Sequence, residues 1–157
     1  KSTGKFYTVL GDEIFPDGVD ENNPNITAGF LHFVDFSDLD NPVEVAKYEL
    51  PGQGSHNYWI EDDILYVAMY GGGVRIVDIS GDLLGDLYRQ GREIGYIMTG
   101  TSDGYIPNVT MSWGAQLYKG YVFYSDWNSG LGSSKVSDLK PDNSKANQYI
   151  NKTPIID

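Results

Sequence analysis

Two stretches of this chain superpose residue for residue: "LHFVDFS" at 31–37 and "VRIVDIS" at 74–80, 43 residues apart. Val34 falls on Val77, Asp35 on Asp78 and Ser37 on Ser80. Self-similarity at a fixed spacing constrains a fold more than a local pattern does, because each copy must be one unit that buries its faces against its neighbours. A weaker third copy, "LGSSKVS" at 131–137, follows 57 residues after the second. Each copy is preceded by a strand-like run, "FYTVLGDE", "LYVAMYGGG" and "YVFYSDWNSG" in turn. After the first copy, "NPVEVAKYEL" (41–50) reads as a further strand, and "SHNYWIED" (55–62) as the strand opening the next unit. Four strands in roughly 40 to 45 residues is the signature of a β-propeller blade. The expected fold is all-β: a partial β-propeller of about three to four four-stranded blades over residues 1–140, with a polar tail at 141–157.

The three glycines that open "GGGVRIVDIS" (71–80) invite a nucleotide reading, which needs a helix to follow them so that its free N–H groups hold a phosphate. Val74, Ile76, Val77 and Ile79 follow instead, a β-branched run that favours extended chain. Gly71, Gly72 and Gly73 therefore read as a tight connection between antiparallel strands. The one stretch with helical spacing is "GDLLGDLYRQGREI" (81–94), where Leu83, Leu84 and Leu87 can line one face of a short helix.

Nineteen glycines, twelve tyrosines and seven prolines suit short strands joined by tight turns. A formal charge of −11 without a basic stripe argues against nucleic acid and acidic lipid, which are bound through Lys and Arg. No apolar run reaches the 18 or so residues of a membrane span. The chain has no cysteine, which removes disulfides, thiol catalysis and thiolate metal sites and leaves the compartment open. Its first residue is Lys1, read as the start of a mature form, a domain or a fragment. Asn25, Asn108 and Asn151 each begin an N-x-[ST] triplet and are candidate glycosylation acceptors.

Three stretches then carry a resemblance: "LHFVDFSDLDNPVEVAKYELP", "GSHNYWIEDDILYVAMYGGGVRIVDISGDLLGDLYRQGREIGYI" and "MSWGAQLYKGYVFYSDWNSGL". The chain resembles the LVIVD-repeat proteins, mostly bacterial β-propellers, over residues 28 to 131, and most resembles their C-terminal half. The resemblance implies a ring of about seven blades in an extracytoplasmic protein, periplasmic, cell-surface or secreted. It brings no catalytic motif. The chain departs from the family pattern after Leu131, where polar residues stand in place of an apolar strand.

Candidates for chemistry are few. His56, Trp59, Tyr70, Trp113 and Trp127 are candidate ligand contacts, since aromatics at strand ends can stack on sugars or anchor a protein partner, although the same residues also fill the space between blades. Trp127 and Tyr70, each beside a glycine or asparagine turn, are the pair expected to be exposed. His56 is expected to bond a neighbouring blade's backbone. His32, inside an apolar strand, is expected to be a satisfied core residue, and Asp35 and Asp78 to cap the turns after their strands. Asp62 and Asp63 read as a short acidic turn. The loop "GDEIFPDGVDENNPN" (11–25) gathers hard oxygen donors, and Asp12, Asp17, Asp20 and Glu21 are its candidate calcium ligands, though their spacing is not that of an EF-hand and a solvated loop is the preferred reading. Two functions stay open: a non-catalytic propeller that binds a protein or glycan, or contributes blades to a larger assembly, and a carbohydrate-active hydrolase or lyase with carboxylates at the channel.

Overall fold

The structure, a computed structural model, describes residues 4–18 and 27–138. It is all-β: eleven strands and a closing 3-10 turn at Val136–Asp138, with no α-helix among the described residues. The strands are β1 Tyr7–Gly11, β2 Leu31–Asp35, β3 Val43–Tyr48, β4 Tyr58–Glu61, β5 Ile64–Ala68, β6 Val74–Asp78, β7 Gly85–Asp86, β8 Glu93–Ile97, β9 Ser112–Tyr118, β10 Tyr121–Asp126 and β11 Gly130–Lys135. They form three sheets, in the orders β1-β2-β3-β7, β4-β5-β6-β8 and β9-β10-β11.

The repeated motif occupies one place in all three sheets. It is the second strand of a hairpin, β1–β2, β5–β6 or β10–β11, and the registers agree: Tyr7 faces Asp35, Ile64 faces Asp78 and Tyr121 faces Lys135. A backbone bond closes each hairpin at the same point, Phe36 N to Phe6 O at 2.8 Å, Ile79 N to Asp63 O at 2.9 Å and Val136 N to Gly120 O at 3.0 Å. The first two copies also share a bulge, between Phe33 and Val34 and between Ile76 and Val77. Asp35 Oδ1 accepts the Ser37 N–H at 2.9 Å and Asp78 Oδ1 accepts that of Ser80 at 2.8 Å, so each aspartate caps its own turn as expected.

Strand alternation explains the apolar run "ILYVA". Leu65, Val67 and Val77 of the second sheet meet Leu31, Phe33 and Tyr48 of the first in one core. Tyr66, Val74 and Ile76 point the other way and meet Ala115 and Val122 of the third in a second core. A sheet covered on both sides has no polar face, and so its strands read as unbroken hydrophobic sequence. Val34, the repeat partner of Val77, is only half-buried, because no described sheet covers the outer face of β2.

Local geometry corrects two expectations. The segment 81–92 is not a helix: Gly81, Gly85 and Gly91 are left-handed, and the chain crosses to the first sheet, where β7 pairs in parallel with β3. Leu83 and Leu87 are buried in the first core by this crossing, while Leu84 is exposed. In the "GGG" connection only Gly73 takes a positive φ, together with Tyr70. Gly72 is needed for closeness, since a Cβ there would lie 2.5 Å from Leu50 Cδ2. Asp62 and Asp63 do form a turn, both at positive φ, as a two-residue hairpin of type I′ requires. No helix of the described residues is long and apolar enough to cross a membrane. The polar segment 141–157, with Asn151, lies outside the described residues, as do Asp20, Glu21 and Asn25.

Candidate functional site

Described parts of the β1–β2, β5–β6 and β10–β11 connections come together around Tyr70 and Trp113. There the β1–β2 connection contributes Glu13 and Phe15, the β5–β6 connection Tyr70, and the β10–β11 connection Trp127. His56 stands just before β4, its N–H bonded to Ala68 O at 2.9 Å, and Trp113 is the second residue of β9. Four of the five aromatic candidates, His56, Tyr70, Trp113 and Trp127, thus come together from positions up to 71 residues apart in the chain. Trp59 stays on β4, where its Nε1 donates to Glu61 Oε2 at 3.2 Å.

Three of these rings form a row. The His56 ring lies 5.0 Å from that of Trp113, and Trp113 stacks on Trp127 at 5.5 Å with planes 15° apart. His56 Nδ1 lies 2.6 Å from Trp113 O, the bond to a neighbouring sheet's backbone that its sequence context suggests. Its Nε2 is 3.4 Å from Glu13 Oε1, which also accepts the Tyr70 hydroxyl. Trp113 and Trp127 are exposed, but Tyr70, expected to be exposed beside Trp127, is buried. The reason is that its edge meets both Phe15 and His56 while its backbone pairs with Ser112 in an isolated bridge. Burial, then the bond to Glu13, pushes the Tyr70 phenol well up, so Tyr70 remains a donor and fixes the carboxylate.

Beneath the row lies a buried group that repeat alignment and aromatic content do not single out. Asp126 Oδ2 accepts from Met111 N at 2.7 Å and from the Thr99 hydroxyl, which in turn contacts Ser112 Oγ at 2.6 Å. Oδ1 accepts from Asn128 N at 2.9 Å and Ser129 N at 2.8 Å. Asp126 therefore sets the backbone on which Trp127 stands. The signal for it is the string "SDWNSG", an aspartate two and three residues before Asn and Ser, as in an Asx-type turn.

The remaining candidates fall elsewhere. His32 is not a core residue. It sits on the outer face of the first sheet, with Nε2 2.9 Å from Asp12 Oδ2 and Nδ1 3.0 Å from Glu44 Oε1. Asp12 is thus an ion-pair partner, Asp17 is exposed in a turn, and among the described residues no three carboxylates or histidines gather as metal donors. Asn108 is exposed in a turn at positive φ, its N–H donating to Thr101 O at 2.8 Å.

The bond to Asp12, and then that to Glu44, raises the pKa of His32 above its ordinary 6.5. A pKa raised by folding means stabilisation that is fully present below the unfolded value and is lost as pH rises through the folded one. His32→Gln is therefore expected to melt further below the parent protein at about pH 6 than at about pH 8.5, and thermal melts across that interval check it. A gap that stays constant with pH would contradict the pairing.

No family model, no curated protein and no solved structure matches this chain.

Proposed function

We propose that this chain is a section of a β-propeller, placed outside the cytoplasm, that serves as a non-catalytic binding or scaffold module within a larger assembly. The observation that carries the reading is the contrast between equivalent repeat positions. Val74 is fully buried between the second and third sheets, whereas Leu131, at the same place in the third sheet, is 90% exposed. Tyr66 is 3% exposed and its equivalent Phe123 48%. On the opposite flank, Val67 is 0% exposed and its equivalent Leu10 52%. The outer faces of the first and third sheets thus carry apolar side chains where a neighbouring sheet covers the middle one. Such a face supports a further sheet of the same kind on each side, as a ring of four to eight blades provides. Placement outside the cytoplasm rests on the likeness to LVIVD-repeat proteins. The row His56–Trp113–Trp127 where these connections meet supports a binding role, since exposed indoles held in a fixed arrangement are what anchors partners.

The chain alone is expected to self-associate in light scattering and to bind a hydrophobic dye. Phe123→Ser with Leu131→Ser should reduce both without lowering the melting temperature. A monodisperse monomer that binds no dye would overturn the reading.

A further inference from the structure

We infer that the occupant of the two open sheet faces is a second copy of this chain, joined head to tail so that two chains close a ring of six sheets. This rests on the reading of the chain as a propeller section and names what completes it. The two joins inside the chain are made the same way round. Tyr7 and Val9 of β1 pack into the first core with Leu65 and Val67 of β5. Ile64 and Tyr66, the register equivalents of Tyr7 and Val9, pack into the second core with Val122 and Tyr124, the equivalents of Leu65 and Val67. Each sheet thus offers one face forward and the opposite face back. Two faces stay open among the described residues: the forward face of the third sheet, with Tyr121, Phe123 and Leu131, and the rear face of the first, with Leu10 and the half-buried Val34.

Local charge sets these two faces apart. The forward face of the third sheet carries Lys135, its Nζ 5.8 Å from the Tyr121 ring centroid, and the only acid on the strands of that sheet, Asp126, is buried. The rear face of the first sheet carries three carboxylates, Asp12 and Glu44 on His32 and Glu49 on Lys47, which outnumber their two bases. Two rear faces brought together repel, whereas a rear face and a forward face attract. The favoured contact therefore joins unlike faces, and it repeats between chains the join made twice within one. A contact of unlike faces closes into a ring or runs on as a filament, according to whether the rotation per sheet closes. Three sheets per chain give six in a pair, inside the four to eight of a closed propeller, and nine in a trimer, which lies outside it.

Sedimentation of the 157-residue chain is expected to give twice its mass of 17.4 kDa, falling to one chain on dilution with a rise in dye bound per chain. Phe123→Asp with Leu131→Asp blocks the forward face, and Leu10→Asp blocks the rear, all three positions being exposed. Each variant alone should sediment as a single chain. An equimolar mixture should give a one-to-one pair, because the first variant keeps its rear face and the second its forward face. Lys135→Glu added to the second variant should weaken that mixed pair about threefold. Melting by circular dichroism checks that each variant folds; if one does not, Leu131→Asp alone, at a position 90% exposed, or Leu10→Gln takes its place. The inference is overturned if the parent chain forms larger or open-ended species, if either variant pairs with itself as the parent does, if the mixture stays separate, or if Lys135→Glu leaves the mixed pair unchanged. These outcomes leave self-association, and with it the propeller reading, standing. A parent chain that stays single at every concentration overturns both.

Discussion

Asp126→Ala is expected to lower stability by about 3 to 5 kcal/mol and the melting temperature by about 10 °C. The substitution leaves the N–H groups of Met111, Asn128 and Ser129 and the hydroxyl of Thr99 without their acceptor, in a region where Thr99, Ser112 and Asp126 are all buried. One unpaired buried donor costs about 1 to 3 kcal/mol, and part of the sum is recovered as water enters the loosened turn. Asp126→Asn keeps one carbonyl oxygen and should fall between the two. Because Trp127 is the next residue, the same change should also disorder the aromatic row, which tryptophan fluorescence would register as a shift to longer wavelength. Denaturant unfolding measures the loss. A change below about 1 kcal/mol would mean that the carboxylate is hydrated and that the turn holds itself.

Glu93→Ala is expected to cost about 3 kcal/mol, through the junction of the first two sheets. Glu93 on β8 accepts the buried Tyr48 hydroxyl from β3 at 2.6 Å and the Arg75 Nη1 from β6 at 2.9 Å. Removing one partner of a buried ion pair leaves the other charge uncompensated, which is why the loss exceeds the net value of the pair. Arg75 keeps its Nε bond to Gly72 O at 2.8 Å and its place 4.9 Å from the Tyr96 ring centroid, so the loss stops short of the upper range for such pairs. Glu93→Gln, which keeps an acceptor for Tyr48, should cost about half as much. Equal melting of Glu93→Ala and the parent protein would show that the Tyr48 hydroxyl and Arg75 find water in the neighbouring cleft of about 420 Å3 lined by Tyr88, Arg89 and Tyr96.

The readable part of this fold is the part in which neighbours in sequence are neighbours in space. The middle-sheet strand at 74–78, covered on both faces, writes its burial as a nearly continuous apolar run, and the copy at 31–37 aligns with it residue for residue because both hold the same place in a hairpin. β11 is faint because Ser133 and Ser134 take places that are apolar in the other copies, and the backbone ladder to β10 holds it instead. The segment 81–94 misleads because Leu83, Leu84 and Leu87 have helical spacing. Their burial is decided by a crossing to another sheet, which local periodicity does not report. His32 misleads for a related reason, since alternation names the two faces of a strand without saying which one a neighbouring sheet covers. The aromatic row is half legible. Its rings can be named one by one, but the stacking of Trp113 on Trp127 and the capture of Glu13 by Tyr70 and His56 depend on three connections meeting.

The chain's lack of cysteine makes a direct measurement of the open repeat faces possible. Single cysteines replacing Leu131 and Val74, equivalent places in two sheets, can be titrated with a thiol reagent in the chain alone and in the protein as it occurs with all its covalent and non-covalent neighbours. In the chain alone, diluted below the concentration at which it self-associates, Leu131→Cys should react at the rate of a free thiol and Val74→Cys only on unfolding, whereas in the native assembly both should be protected. Free reaction of Leu131→Cys in the native assembly would contradict the reading of this chain as one section of a ring.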